Sequence, residues 1–209
     1  MVRYSGVWGP ERVDAFLADA VVPVRLACRT PAGPLWMLSL WYRWLPGETP
    51  GADGDTGSGE GDGTGTRDED GEGNGTGAGS EPGDGAGDER TDCDGPALRC
   101  ATSRDADVVR YLESNDGVAF EVSTNEPPYR GVRGNGTATL VPDRGKALLR
   151  SLLDRYLGGT DSALARRLLD PEREEVEIRV DPGRVHSWDY AGRMRDATGG
   201  GAGGGDGRT

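Results

Sequence analysis

Between residues 46 and 96 the chain contains no Val, Ile, Leu, Met, Phe, Tyr or Trp. Such a stretch cannot bury enough apolar surface to offset the conformational entropy of ordering it. Any folded domain must therefore be built from the residues on either side. The stretch holds 17 of the 36 glycines, and 9 Asp plus 6 Glu against 2 Arg, a net charge of −13 in a chain whose total is −12. The remaining residues are near neutral, so the acidity of the protein resides in this one segment. The composition predicts a disordered, self-repelling Gly/Asp-rich insertion over 46–96. It reads either as a tolerated loop, since closure entropy grows slowly with length, or as an acidic interaction segment. A second disordered Gly-rich stretch is expected over 196–209. One domain is then assembled from 1–45 and 97–195.

The pattern also excludes several classes. A near-neutral domain with an acidic tether does not offer the basic patch that nucleic acid requires. No apolar run reaches the roughly 18 residues of a membrane span, and no signal-peptide pattern opens the chain; a soluble, cytoplasmic protein is expected. Cys28, Cys93 and Cys100 are odd in number and lack CxxC spacing, which supports neither a disulfide framework nor a zinc site. One lysine, Lys146, stands against 23 arginines. With the Asp/Glu excess this fits a chain from a high-salt cytoplasm, although the near-neutral domain is not acidic throughout. His186 is the single histidine, no GxSxG motif occurs, and the scattered carboxylates show no paired spacing for carboxylate chemistry.

The elements read as follows. PERVDAFLADA is a helix with Pro10 at its first position and Val13, Phe16, Leu17 and Ala20 on one face. VVPVRLAC alternates as a half-buried strand, and TPAGP supplies a turn. Residues 34–44, PLWMLSLWYRW, are apolar at both parities, so this strand must be covered on both faces. One cover is the core; the other is a partner subunit, a flat ligand, or both. Three of the five tryptophans lie here, and aromatics favour interfaces. ALRCA (97–101) then pairs with that strand, placing the acidic stretch at a hairpin tip. TSRDADVVRYLESN is a helix capped by Asp105, GVAFEVST a strand, and VRGNGTATL a strand beginning near Val132. DRGKALLRSLLDRYLGG is the clearest helix, with Asp143 as cap, Gly158 as stop, and Leu148, Leu149, Leu152, Leu153, Tyr156 and Leu157 on one stripe. DSALARRLLDP is a short helix, and EEVEIRV and RVHSWDY are two strands around a DPG turn. This order predicts a mostly β fold, an antiparallel small barrel with peripheral helices.

Four stretches together resemble the pyridoxamine-5′-phosphate-oxidase-like family of FMN-binding split β-barrels. They are RLACRTPAG, LWMLSLWYRW, ALRCATSRDADVVRYLESNDGVAF and PPYRGVRGNGTATL, spanning roughly 10–45 and 97–190. The resemblance implies a homodimer with FMN or a deazaflavin in the groove between subunits, and hydride transfer to or from a small-molecule substrate. It places the flavin against residues 36–41, among them Trp36, Met37, Leu38, Ser39 and Trp41. It places the cofactor phosphate near 101–107, where Thr102, Ser103 and Arg104 would hold it; a helix N-terminus suits an anion. Relatives carry a lysine near the position of Val108, whereas this chain has Asp105 and Asp107 beside the site. A deazaflavin, haem through His186, or no cofactor therefore stay open, as does a non-enzymatic ligand-binding dimer. Pyridoxamine-phosphate oxidase activity itself is not expected, because RVHSWDYAGRMRD lacks the basic substrate loop.

Arg25 and Arg99 lie on the polar faces of their strands and read as solvated or anion-binding. In NEPPYRGVRGNG, alternation puts Val132, Gly134, Gly136, Ala138 and Leu140 on one face and Arg133, Asn135, Thr137 and Thr139 on the other. Arg133 is then the candidate for the cofactor or substrate groove, and Arg130 for holding the loop or the dimer partner.

Overall fold

The computed structural model describes residues 1–47 and 95–198. Most of the acidic stretch and the Gly-rich stretch lie outside the described residues, and so does Cys93. Eight strands form one sheet in the order β3-β2-β6-β7-β8-β5-β4, with β1 (Arg3–Gly6) laid parallel against β8. All other neighbours are antiparallel. The members are β2 (Val24–Arg29), β3 (Leu35–Leu40), β4 (Tyr42–Leu45), β5 (Ala97–Ser103), β6 (Gly117–Ser123), β7 (Arg130–Pro142) and β8 (Glu175–Asp189).

The apolar run at 34–44 is divided at Trp41: β3 pairs with β2 at one end of the order, and β4 pairs with β5 at the other. One covalently continuous segment thus joins both ends of the sheet and closes it into a split barrel. The hairpin expected around the acidic stretch is present, with Leu45 opposite Ala97.

Inside the barrel, Leu38, Leu26, Phe120, Gly134 and Val185 face one another across five strands. Helices α1 (Pro10–Asp19) and α2 (Asp107–Ser114) add Val13, Leu17, Val108, Val109 and Leu112 to the same core. Tyr42, fully buried, has its hydroxyl 2.8 Å from the Leu17 carbonyl and 3.2 Å from that of Ala20, and Arg155 donates to the Ala20 carbonyl at 2.8 Å. These bonds satisfy carbonyls at the end of α1 that have no intrahelical partner. A smaller cluster lies outside the barrel, where Leu149 and Leu153 of α3 (Ala147–Leu157) and Ala165 of α4 (Ala163–Leu168) pack on Trp41 and Ala101. Leu157, assigned above to the buried stripe, is 42% exposed.

Four local readings are corrected. The N-cap of α2 is Ala106, with no side-chain cap bond, not Asp105. Sequence reading missed β1, and a fifth helix, α5 (Ala191–Thr198), ends the described residues. The DPG segment is not a turn: β8 runs unbroken through Asp181, Pro182 and Gly183, with a bulge where its register against β7 shifts between Asn135 and Gly136. A long antiparallel partner keeps this segment extended, and a bulge is where a strand tolerates Pro and Gly.

Backbone approach at the bulge leaves no room on β7. A Cβ at Gly136 would lie 2.2 Å from the Asp181 carbonyl oxygen, whereas one at Gly183 would meet nothing closer than 3.9 Å. Gly136→Ala is therefore expected to destabilise the protein by about 1–3 kcal/mol, and Gly183→Ala by less than about 0.5 kcal/mol. Denaturant unfolding of the two variants checks this; equal costs would place the constraint elsewhere.

Candidate functional site

Helices α1 and α2 pack with the inside of the barrel and α3 with the outside of β4 and β5. The outer surface of β3-β2-β6-β7-β8 carries polar and small side chains instead. Strand register arranges them in two rows. One row reads Ser39, Arg25, Glu121, Arg133, His186 and Ser5. The next reads Met37, Ala27, Ala119, Asn135, Arg184 and Arg3. A cleft of ≈ 390 Å³ lies over the middle of both rows. Its floor is the facing pair Ala27 and Ala119, whose methyl side chains leave a shallow, nearly flat base. Met37 forms an apolar side, and Arg25, Arg133, Arg184 and His186 a polar rim.

The two central arginines differ in commitment. Arg25 donates to Glu121 at 3.3 Å, to the Ser123 hydroxyl at 3.0 Å and to the Asn125 side chain at 2.8 Å. It is a structural tie with one edge on the cleft. Arg133 is exposed, and neither it nor Arg184 has an ion-pair partner among the described residues. With Glu121 held by Arg25, the cleft presents unneutralised positive charge to solvent and suits an anionic group on a flat ligand. His186 is half-buried, its Nδ1 3.1 Å from the Ser5 hydroxyl.

The remaining sequence candidates fall into other places. Leu38 is half-buried against the barrel core, and Trp36, 51% exposed, meets the Tyr111 ring of α2 edge-on at 6.4 Å. Trp41 stacks on Tyr156 at 5.2 Å and 11°, covered by α3. Thr102, Ser103 and Arg104 lie together at the end of β5, on the other side of β8 from the cleft. There the Arg104 guanidinium is 3.0 Å from the Glu113 carboxylate, and Asp107 pairs with Arg110 at 2.8 Å. Arg99 grips the buried Glu177 through two N–H groups, a contact that raises its pKa above the usual guanidinium value. Its role is structural.

Alternation within β7 foretold the exposure of Arg133. Arg184 and His186 were missed as its neighbours, because reading DPG as a turn broke the register that carries them. No group of three or more metal-ligating side chains occurs among the described residues, and no helix there is long and apolar enough to cross a membrane.

No protein-family model and no curated protein matches the chain. Among solved structures, the conserved hypothetical protein Rv2991 of Mycobacterium tuberculosis superposes with a TM-score of 0.54 at 17% identity, covering 96% of each chain. A protein described as F420 reductase matches with a TM-score of 0.49 at 19% identity, over 81% of this chain and 92% of its own. A FAD-binding protein of Mesorhizobium loti matches with 0.46 at 14% identity, over 86% and 93%. The chain has the split-barrel fold that the sequence resemblance implies.

Removing Arg133 should leave folding stability within about 0.5 kcal/mol of the parent, since its side chain ties nothing together. Arg25→Ala strands Glu121 and Asn125 and should cost about 1 kcal/mol. Thermal and urea unfolding of the two variants distinguish a site arginine from a structural one.

Proposed function

We propose that the cleft over Ala27 and Ala119 receives the ring system of a flavin or deazaflavin. On this reading the protein is an oxidoreductase acting on a small molecule, as a homodimer whose second copy covers β3. The observation that carries the reading is a flat, small-residue floor, rimmed by unpaired arginines and bordered by an uncovered apolar strand. Leu35, Trp36 and Met37 are 75%, 51% and 65% exposed, on a strand at the end of the pairing order. Its free edge and apolar side chains call for cover. The cleft volume of ≈ 390 Å³ lies within the usual range for small-ligand sites.

The flat floor suits a planar ring, but the β5–α2 turn does not suit a phosphate dianion. Arg104 is already paired with Glu113, Asp105 and Asp107 are exposed beside it, and Val108, near the position where relatives carry a lysine, is buried. When bound, the ring would supply hydride transfer. The residues of this chain would do the rest. Arg133 and Arg184 would attract and orient an anionic part of cofactor or substrate. The Ala27–Ala119 floor would let a planar group lie close to the sheet. Met37 would exclude water from one side, and His186, oriented by Ser5, could hold a proton at the rim.

Absorption and mass spectrometry of the natively purified chain test the reading. A bound flavin or deazaflavin that turns over reduced cofactor with an acceptor is expected. Colourless protein that takes up neither FMN nor a deazaflavin would sink it, and stable binding without turnover would favour a non-enzymatic ligand-binding module. Arg133→Ala should weaken cofactor or substrate binding about tenfold, and Arg130→Ala much less; equal effects would remove the assignment to Arg133. In sedimentation, Met37→Asp should convert the dimer to monomer, and an unchanged dimer would move the interface off β3.

A further inference from the structure

A second cleft, of ≈ 790 Å³, opens at the end of the barrel where β7 and β8 meet the start of α3 and the end of α4. Its walls combine apolar Leu140, Pro142, Leu169 and Val176 with the cations Arg144, Lys146 and Arg150. Two of the three carboxylates that line it already have hydrogen-bond partners. Asp143 accepts from the backbone N–H groups of Leu148 and Leu149 at 3.3 and 3.1 Å, and buried Glu175 is held by Arg173. Asp143 and Glu174 thus line the cleft without an ion-pair partner among the described residues, against the three cations Arg144, Lys146 and Arg150. Arg144 and Arg150 are exposed and likewise unpaired there.

The backbone beneath them is strained. Lys146 is the single lysine of the chain and, among the described residues, the single non-glycine with positive φ, at 57°. A left-handed backbone costs an ordinary L residue about 1–2 kcal/mol, and such outliers persist where the surroundings hold them, often at binding sites. Here the Lys146 ammonium is held on the carbonyls of Leu168, at 3.4 Å, and Asp170. Neither carbonyl neutralises it, so a full positive charge is fixed at the cleft wall between two free guanidinium groups.

We propose that this cleft binds a small organic phosphate. The dianionic group would lie among Arg144, Lys146 and Arg150, whose donors suit phosphate oxygens, and the carbon skeleton against the Leu140–Leu169 wall. Of the residues that the resemblance assigns to a cofactor phosphate, Thr102 and Ser103 do not line it, and Arg104 does but is paired with Glu113. No residue of the outer-face cleft lines it, so the assignment stands apart from the ring site proposed there.

Calorimetric titration of the full chain with inorganic phosphate and with phenyl phosphate, at fixed ionic strength, provides the test. Both are expected to bind, phenyl phosphate more tightly because the headgroup is shared and only the ring can use the apolar wall. The double variant Arg144→Gln, Arg150→Gln should weaken both about tenfold or more. Lys146→Asn, which tolerates the left-handed backbone, should weaken both while leaving the melting temperature near that of the parent. Arg12→Gln, outside both clefts, should change neither. Absence of binding, or binding indifferent to the Arg144, Lys146 and Arg150 variants, would overturn the site. Equal affinity for the two probes would overturn the organic-phosphate assignment.

Discussion

One alternation holds the barrel together. From Leu38 to Trp44 the even-numbered side chains point inward, and this parity survives the break in pairing at Trp41. Because parity is kept, the segment can leave β2 and join β5 without turning its apolar face to water. The two ends of the sheet are thereby tied by covalent chain rather than by an added strand. Tyr42, just past the break, is anchored from both sides, its hydroxyl on α1 carbonyls and its backbone N–H 3.3 Å from the Tyr156 hydroxyl of α3. Burial pushes the Tyr42 pKa above the ordinary phenol value. The hydroxyl therefore stays protonated, and remains a donor, across the physiological range.

The same alternation decides where a ligand can sit. Odd-numbered side chains of this segment point outward, but they meet different surroundings. Trp41 is covered by Tyr156, whereas Leu35 and Met37 are exposed, with no cover among the described residues. The outer surface is thus divided into a helix-packed half, over β4 and β5, and a bare half, over β3, β2, β6, β7 and β8. Apolar residues on the bare half border a polar, cation-rich floor, which is how small-molecule sites are commonly composed.

Much of this was legible from local pattern. Pro10, the capping carboxylate of Asp143 and the Gly158 stop locate two helices, because each acts within a few residues of a helix end. The hairpin across the acidic stretch followed from composition alone, since the missing apolar residues leave only the flanks to pair. The expectation that a partner subunit or a flat ligand covers the second face of 34–44 is met otherwise at Trp41, which α3 covers, while Leu35 and Met37 stay exposed. Which tryptophan would be covered by a helix was not readable, because α3 lies more than a hundred residues further on. β1 was invisible for a related reason: four residues, none fully buried, become a strand only because β8 offers them an open edge.

The site itself turns on a single extra residue. Before the bulge, Val176, Ile178 and Val180 of β8 point into the core; after it, Val185 and Ser187 do. The inward set changes from even to odd numbers, because one residue of β8 near Gly183 has no counterpart on β7. Without that residue, strict alternation would turn Arg184 and His186 toward the barrel interior and expose Val185. Burying a guanidinium there without a partner would cost far more than the bulge does. With it, Arg184 and His186 come into register beside Asn135 and Arg133 and complete the rim of the cleft. Asp181-Pro182-Gly183 is thus the device that lets one uninterrupted strand serve the core with its first half and the candidate site with its second.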